Sequence, residues 1–177
     1  RENYEAFLQA RREMLAAELN AFLKGITSSR TAEVQVSVDD MIEDGESDEL
    51  EFKSSIRWSY KEGTANKGLE QVIMKSVAAF SNGDGGTLLI GVDDEGDVLG
   101  LEHDYSSLKG SKDEFELHLR NLLNKTFGVT FATKGVSVSF PEVDGVEICR
   151  IDIRKGIKPV YLDVTDKNGK KSEKFYV

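Results

Sequence analysis

The sequence predicts an α+β fold: a mixed or antiparallel sheet with two packed helices, preceded by an N-terminal amphipathic helix. Three observations predict it. Apolar residues recur at helical spacing in three separate segments, a period of two takes over late in the chain, and one run, Thr87 to Val92, is apolar enough for a central strand buried on both faces. The 177 residues, 39% hydrophobic and 31% charged, exclude disorder, collagen and a coiled coil alone. The length suffices for one self-supporting core.

The first segment, Glu2 to Lys24, lacks Gly and Pro and carries Tyr4, Phe7, Leu8, Leu15, Leu19, Phe22 and Leu23 on one stripe, with Gly25 as its stop. Packing or assembly is all that such a stripe requires. Residues 1–33 are read as this helix and a linker, and 34–177 as the domain proper. Val34, Val36 and Val38 alternate as a short strand, and Asp39 to Glu46 reads as an acidic turn. Glu49 to Ile56 fits a strand with Leu50 and Phe52 on one face and Glu49, Glu51, Lys53 and Ser55 on the other. Tyr60 to Ala65 is a polar loop, and Asn66 caps a helix whose buried stripe is Leu69, Val72, Ile73, Val77 and Phe80. Asp84-Gly85-Gly86 turns tightly into the central strand, and Asp93 to Asp97 turns again toward Val98-Leu99-Gly100-Leu101. Ser111 and Glu114 form a capping box for a helix through Phe115, Leu119, Leu122 and Leu123 to Phe127. Val136, Val138 and Phe140, then Val146 and Ile148, then Ile151 and Ile153 alternate as strands. Val160-Tyr161-Leu162 and Phe175-Tyr176-Val177 flank a turn at Asp166 to Gly169.

No stretch reaches the roughly 18 apolar residues of a membrane span, and no basic-then-apolar leader opens the chain, so a cytoplasmic protein without membrane contact is expected. The start at Arg1 and the strand-like end at Val177 suggest a piece of a longer protein. One cysteine, Cys149, and two histidines, His103 and His118, leave carboxylates as the ligands of any metal. Cys149, in an alternating apolar strand, is expected in the core, and the two histidines at the surface or its boundary. The net charge of -9 opposes non-specific attraction to nucleic acid, although binding answers to the field of one face rather than to the total. Phosphate-loop, dinucleotide-binding, paired-cysteine and serine-nucleophile signatures are all missing.

Two constellations could carry chemistry. Glu46, Glu51, Asp93 and Asp94 stand near the ends or the polar face of two strands expected to be neighbours. Carboxylates that converge there would bind Mg²⁺ or Mn²⁺, which bridges a phosphate and activates water. The bland alternative is a hairpin turn rich in Asp and Gly beside a solvated strand face. The second constellation is basic and aromatic: Lys53, Arg57, Lys61, Lys67 and Lys75 with Trp58 and Tyr60, matching a phosphate backbone and unstacked bases. Arg150, Arg154, Lys155 and Lys158 form a later basic group.

Glu46-Ser47-Asp48-Glu49-Leu50-Glu51-Phe52-Lys53-Ser54-Ser55, Val77-Ala78-Ala79-Phe80-Ser81-Asn82, Asp84 through Asp94, Lys158-Pro159-Val160-Tyr161 and Phe175-Tyr176-Val177, taken together, resemble the Schlafen AlbA_2 family. The resemblance covers roughly Ile42 to Val177. It implies an α+β module of a longer bacterial protein, of a kind described as DNA-binding or transcription-regulating. It also implies a nuclease possibility, because eukaryotic Schlafen proteins cleave structured RNA with three carboxylates, which fall here on Glu46, Glu51 and Asp94 as metal ligands, with Lys53 beside them. Those enzymes pair two lobes around a basic groove, which a homodimer through the first helix would rebuild.

Three functions follow. The first is a nucleic-acid-binding module of a larger bacterial regulator or defence protein, touching RNA or DNA through Lys53, Arg57, Trp58, Lys61 and Lys67. The second is a Mg²⁺- or Mn²⁺-dependent endoribonuclease using Glu46, Glu51, Asp94 and Lys53, the one case that needs a cofactor. The third is a protein-interaction or sensor domain without nucleic-acid contact, presenting its first helix.

Overall fold

In the computed structural model, which describes residues 11–21, 37–165 and 171–177, the chain divides into two units, Arg1–Ser37 and Val38–Val177. In the first unit, residues 11–21 are helical (α1). Gly25, Val34, Val36 and the turn at Asp166 to Gly169 lie outside the described residues. The second unit runs through helix α2 (Val38–Asp44), strands β1 (Leu50–Lys53), β2 (Trp58–Ser59) and β3 (Thr64–Ala65), helix α3 (Gly68–Asn82) and strand β4 (Gly85–Ile90). Helices α4 (Glu102–Ser107), α5 (Lys112–Phe127) and α6 (Val129–Lys134) follow. Strands β5 (Val136–Ser139), β6 (Glu142–Val143), β7 (Val146–Glu147), β8 (Cys149–Arg154), β9 (Tyr161–Thr165) and β10 (Lys171–Phe175) complete it.

The main sheet has the order β1-β4-β8-β5. It is mixed, with β1 parallel to β4 and β8 antiparallel to both β4 and β5. The expected central strand is central: Leu88 and Ile90 enter the larger core with Ile73, Val77, Phe115 and Leu119, while Leu89 enters a second core with Phe52, Val92 and Ile148. Period-two geometry explains the division, since alternate residues of a strand face opposite sides. Helices α3 and α5 cover the first face, and α2 contributes Val38 to the second core. Gly86 is where α3 meets the sheet, because a Cβ there would lie 2.4 Å from the Phe80 ring. The turn expected at Asp84-Gly85-Gly86 therefore shifts back by two residues: Gly85 and Gly86 open β4, and packing against α3 leaves no room for a side chain at Gly86.

Five expectations need correction. Val38 opens a helix rather than ending a strand, and residues expected as an acidic turn continue that helix, since Asp39 and Asp40 in its first turn suit the helix dipole. The strand expected to reach Ile56 stops at Lys53, and the loop expected over Tyr60 to Ala65 contains β3, paired with β2. Val98 to Leu101 contributes one bridge, Val98 to Val92, rather than a strand. Asn66 precedes its helix as a cap in the broader sense: its Oδ1 accepts the Gly68 N–H at 2.8 Å. Ser111 Oγ accepts the Glu114 N–H at 3.2 Å, as a capping-box serine should.

Candidate nucleic-acid interface

The acids come first. Strand β1 is an edge of the sheet, so the backbone groups of Leu50 and Phe52 that point away from β4 need partners. Glu46 Oε1 accepts the Phe52 N–H at 2.7 Å. Lys53 Nζ donates to the Phe52 carbonyl at 2.6 Å and pairs with Glu51 Oε1 at 2.6 Å. Ser47 and Leu50 exchange backbone hydrogen bonds. Asp94 is exposed in the turn beyond β4, where the neighbouring Asp93 Oδ1 holds the N–H groups of Glu95 and Asp97. Among the described residues no three His, Cys, Asp or Glu side chains form a group able to hold a metal ion. Glu46, Glu51 and Asp94 as arranged therefore do not fit a bound Mg²⁺ or Mn²⁺, and Glu46 and Glu51 are occupied by the strand edge.

The loop between β1 and β2 is built around Asp104, a residue that the sequence did not single out. Its carboxylate is 1% exposed and accepts Ser55 Oγ–H at 2.6 Å, Ile56 N–H at 3.0 Å and Arg57 N–H at 3.2 Å. Burial raises its pKa, and these hydrogen bonds oppose the shift without cancelling it. The loop so held presents Arg57 and Trp58. Arg57 Nε is buried without a hydrogen-bond acceptor and lies 3.7 Å from Glu70 Oε1, the oxygen that also meets His118 Nε2 at 2.9 Å. Trp58 stacks on His103, with ring centroids 4.8 Å apart and planes 4° from parallel, and Tyr60 meets the same imidazole edge-on at 5.4 Å. Both histidines, expected as ordinary surface or boundary residues, make specific contacts. The partner of each is distant in sequence, so no local signal announced it.

Beside this loop lies a cleft of about 510 Å³ between α3, α5 and the β9–β10 hairpin. Lys67 and Lys75 from the α3 segment and Lys125 from α5 line it, with Met74, Leu122 and Leu162 as apolar surface. Among the described residues no carboxylate is within ion-pair distance of those lysines, although Lys75 Nζ sits 5.8 Å from the Tyr176 ring centroid. Glu70, which Arg57 approaches, also lines the cleft, as do Asp163 and Glu173.

Of the five residues expected to touch nucleic acid, Lys61 and Lys67 are exposed, Trp58 is half-buried in its stack, and Lys53 and Arg57 are engaged with Glu51 and Glu70. Lys125 was not singled out, because one lysine on a helix carries no signal until the tertiary fold brings it opposite Lys67. The later basic group is also partly neutralised: Arg150 Nε contacts both Asp152 oxygens at 2.9 and 3.0 Å, and Lys155 pairs with Asp84 at 2.7 Å. Cys149 is fully buried in the larger core, and that burial pushes its thiol pKa up.

Residues 46–177 match the family model described as Schlafen, AlbA_2. No curated protein matches the chain. Among solved structures, it is similar to the DIP2311 protein of Corynebacterium diphtheriae over 71% of this chain, at 18% identity and a TM-score of 0.46, and it spans 25% of that protein. It is also similar to the N-terminal domain of a protein described as ATP-dependent DNA helicase RecG-related, from Nitrosomonas europaea. That match covers 78% of this chain and 86% of that domain at 20% identity, with a TM-score of 0.45.

Proposed function

We propose a nucleic-acid-binding function from the premise that the chain belongs to the Schlafen AlbA_2 family. The observation that carries the reading is the cleft lined by Lys67, Lys75 and Lys125, whose Glu70 meets Arg57 of the loop that bears the stack of Trp58, His103 and Tyr60. Unpaired ammonium groups attract successive phosphates and release their counterions, while an aromatic platform holds an unstacked base. The contacts are Lys61, Lys67, Lys75, Lys125 and Trp58. Lys53 and Arg57 act behind them by holding the strand edge and the loop. Such a module would serve inside a larger bacterial regulator or defence protein.

The test is fluorescence anisotropy of labelled single-stranded DNA, duplex DNA and structured RNA in EDTA, across a salt series. Lys67→Gln and Lys125→Gln should each weaken binding and lower the slope of log affinity against log salt by about 1. Trp58→Ala should cost roughly 1–3 kcal/mol on single strands and much less on duplex. No retention at low salt, or retention indifferent to all three changes, would falsify the reading. The endoribonuclease alternative keeps the support of the family's three carboxylates, which fall on Glu46, Glu51 and Asp94. It requires Glu46 to leave Phe52 and Glu51 to leave Lys53. Cutting of structured RNA in Mn²⁺ that disappears in Glu51→Ala would favour it over binding alone.

A further inference from the structure

All the side chains of α1 are exposed, including Met14 at 51%, Leu15 at 52% and Leu19 at 57%. A helix of that length standing alone is marginal in water, so its stability must come from covering the apolar face. On a helical projection at about 100° per residue, Met14, Leu15 and Leu19 share the stripe that the flanking sequence continues with Leu8 and Phe22. Two charges fall inside the same stripe, Arg11 and Glu18, both between Met14 and Leu15 in projection.

One cation and one anion embedded in an apolar seam limit what can cover it. A purely apolar groove would bury both charges unpaired, at a cost of several kcal/mol. A second copy of the helix running parallel in register would set Arg11 against Arg11 and Glu18 against Glu18. A second copy running antiparallel, centred between Met14 and Leu15, sets Arg11 against Glu18 twice and Met14 against Leu15 twice. The charges then match by symmetry, as an isologous two-fold contact demands, and they fix orientation in the way that polar seam residues do in coiled coils. We propose that α1 is a self-association element that pairs antiparallel with α1 of a second copy, with the Arg11–Glu18 contacts setting direction and register. The proposal does not depend on nucleic-acid binding.

The experiment is sedimentation equilibrium of the whole 177-residue chain in four forms: unaltered, Arg11→Glu, Glu18→Arg, and both changes together. The unaltered chain and the double variant should dimerise with similar affinity. Each single variant should be at least roughly tenfold weaker, because it places like charges opposite each other. Far-UV circular dichroism and the fluorescence of Trp58, the one tryptophan, check that the second unit stays folded in every form. A chain that is monomeric at all concentrations overturns the proposal, and so does a dimer that the single reversals leave intact. A dimer that the double variant fails to restore overturns the antiparallel register.

Discussion

Asn82 explains why separated motifs belong together. Its Nδ2 donates to the carbonyls of Val160 at 2.9 Å and Tyr176 at 2.8 Å, and its Oδ1 accepts the Val160 N–H at 2.7 Å. The end of α3, the start of β9 and the end of the described chain are therefore tied through one amide. Asn82→Ala should lower stability by about 2–4 kcal/mol, because three partly buried backbone groups lose their partner. Urea unfolding followed by Trp58 fluorescence measures it, and a loss below about 1 kcal/mol would mean that water replaces the amide. Asp104 acts similarly at the front of the domain, with a pH signature. Its folded pKa is raised by burial, so its contribution is fully present below the unfolded carboxylate value and is lost as pH rises through the folded one. Asp104→Asn removes the titration and presents an amide donor to backbone donors, a cost of about 1–3 kcal/mol. The stability gap between the two proteins should narrow from about pH 4 to pH 7. A gap that widens over that range would show that the hydrogen bonds to the charged form outweigh burial.

At the scale of elements, β1 shows how an edge strand is closed by its own motif. Glu46 takes the outward N–H of Phe52, Lys53 takes its carbonyl, and Glu51 balances the lysine. Edge strands that leave such groups open recruit other chains. Glu46→Ala should therefore speed amide exchange at Phe52 roughly tenfold, the kinetic equivalent of about 1.4 kcal/mol, and leave Leu50, held by the Ser47 carbonyl, unchanged. Equal acceleration at both amides would mean general loosening of β1 instead. Elements were legible in the sequence where one force dominated. Strand β4 could be recognised because burial on both faces leaves an uninterrupted apolar run, although it spans Gly85–Ile90 rather than the expected Thr87 to Val92, and α5 because its cap and stripe agree. Helix α6 was not, since Val129-Thr130-Phe131 favours a strand locally and becomes helical through Ala132 in the core and Phe131 packed 4.9 Å from Phe127. The site was legible in part for a related reason. Trp58 and Lys67 stand out by composition, whereas His103, Asp104 and Lys125 acquire meaning only when the fold brings them opposite.

The whole molecule carries a net charge of -9, and many described cations are neutralised where they stand, Lys53 by Glu51, Arg57 by Glu70, Arg150 by Asp152 and Lys155 by Asp84. A second cavity, about 650 Å³, is lined by Asp48, Glu49, Glu51 and Asp84 against Lys75, which lines both cavities, so its acids outnumber its cations and disfavour phosphate. In the proposed binding mode a polyanion meets Lys67, Lys75 and Lys125 in a cleft that also holds Glu70, Asp163 and Glu173, so the balance of that one lining decides the local field. Of these three acids Glu70 is engaged by Arg57, and the other two oppose binding. Asp163 of β9 and Glu173 of β10 line the cleft and face each other across the hairpin register, a like-charge pair that also works against the hairpin. Replacing them together, Asp163→Asn with Glu173→Gln, should raise affinity for single-stranded DNA roughly threefold to tenfold at low salt without loss of stability. The gain should shrink as salt approaches physiological strength, because screening over about 8 Å covers the distance from these acids to a bound phosphate. Anisotropy titrations at two salt concentrations read both effects. Affinity that stays constant or falls would mean that the phosphate path does not run through this cleft, and the acidic balance would then point to a protein partner instead.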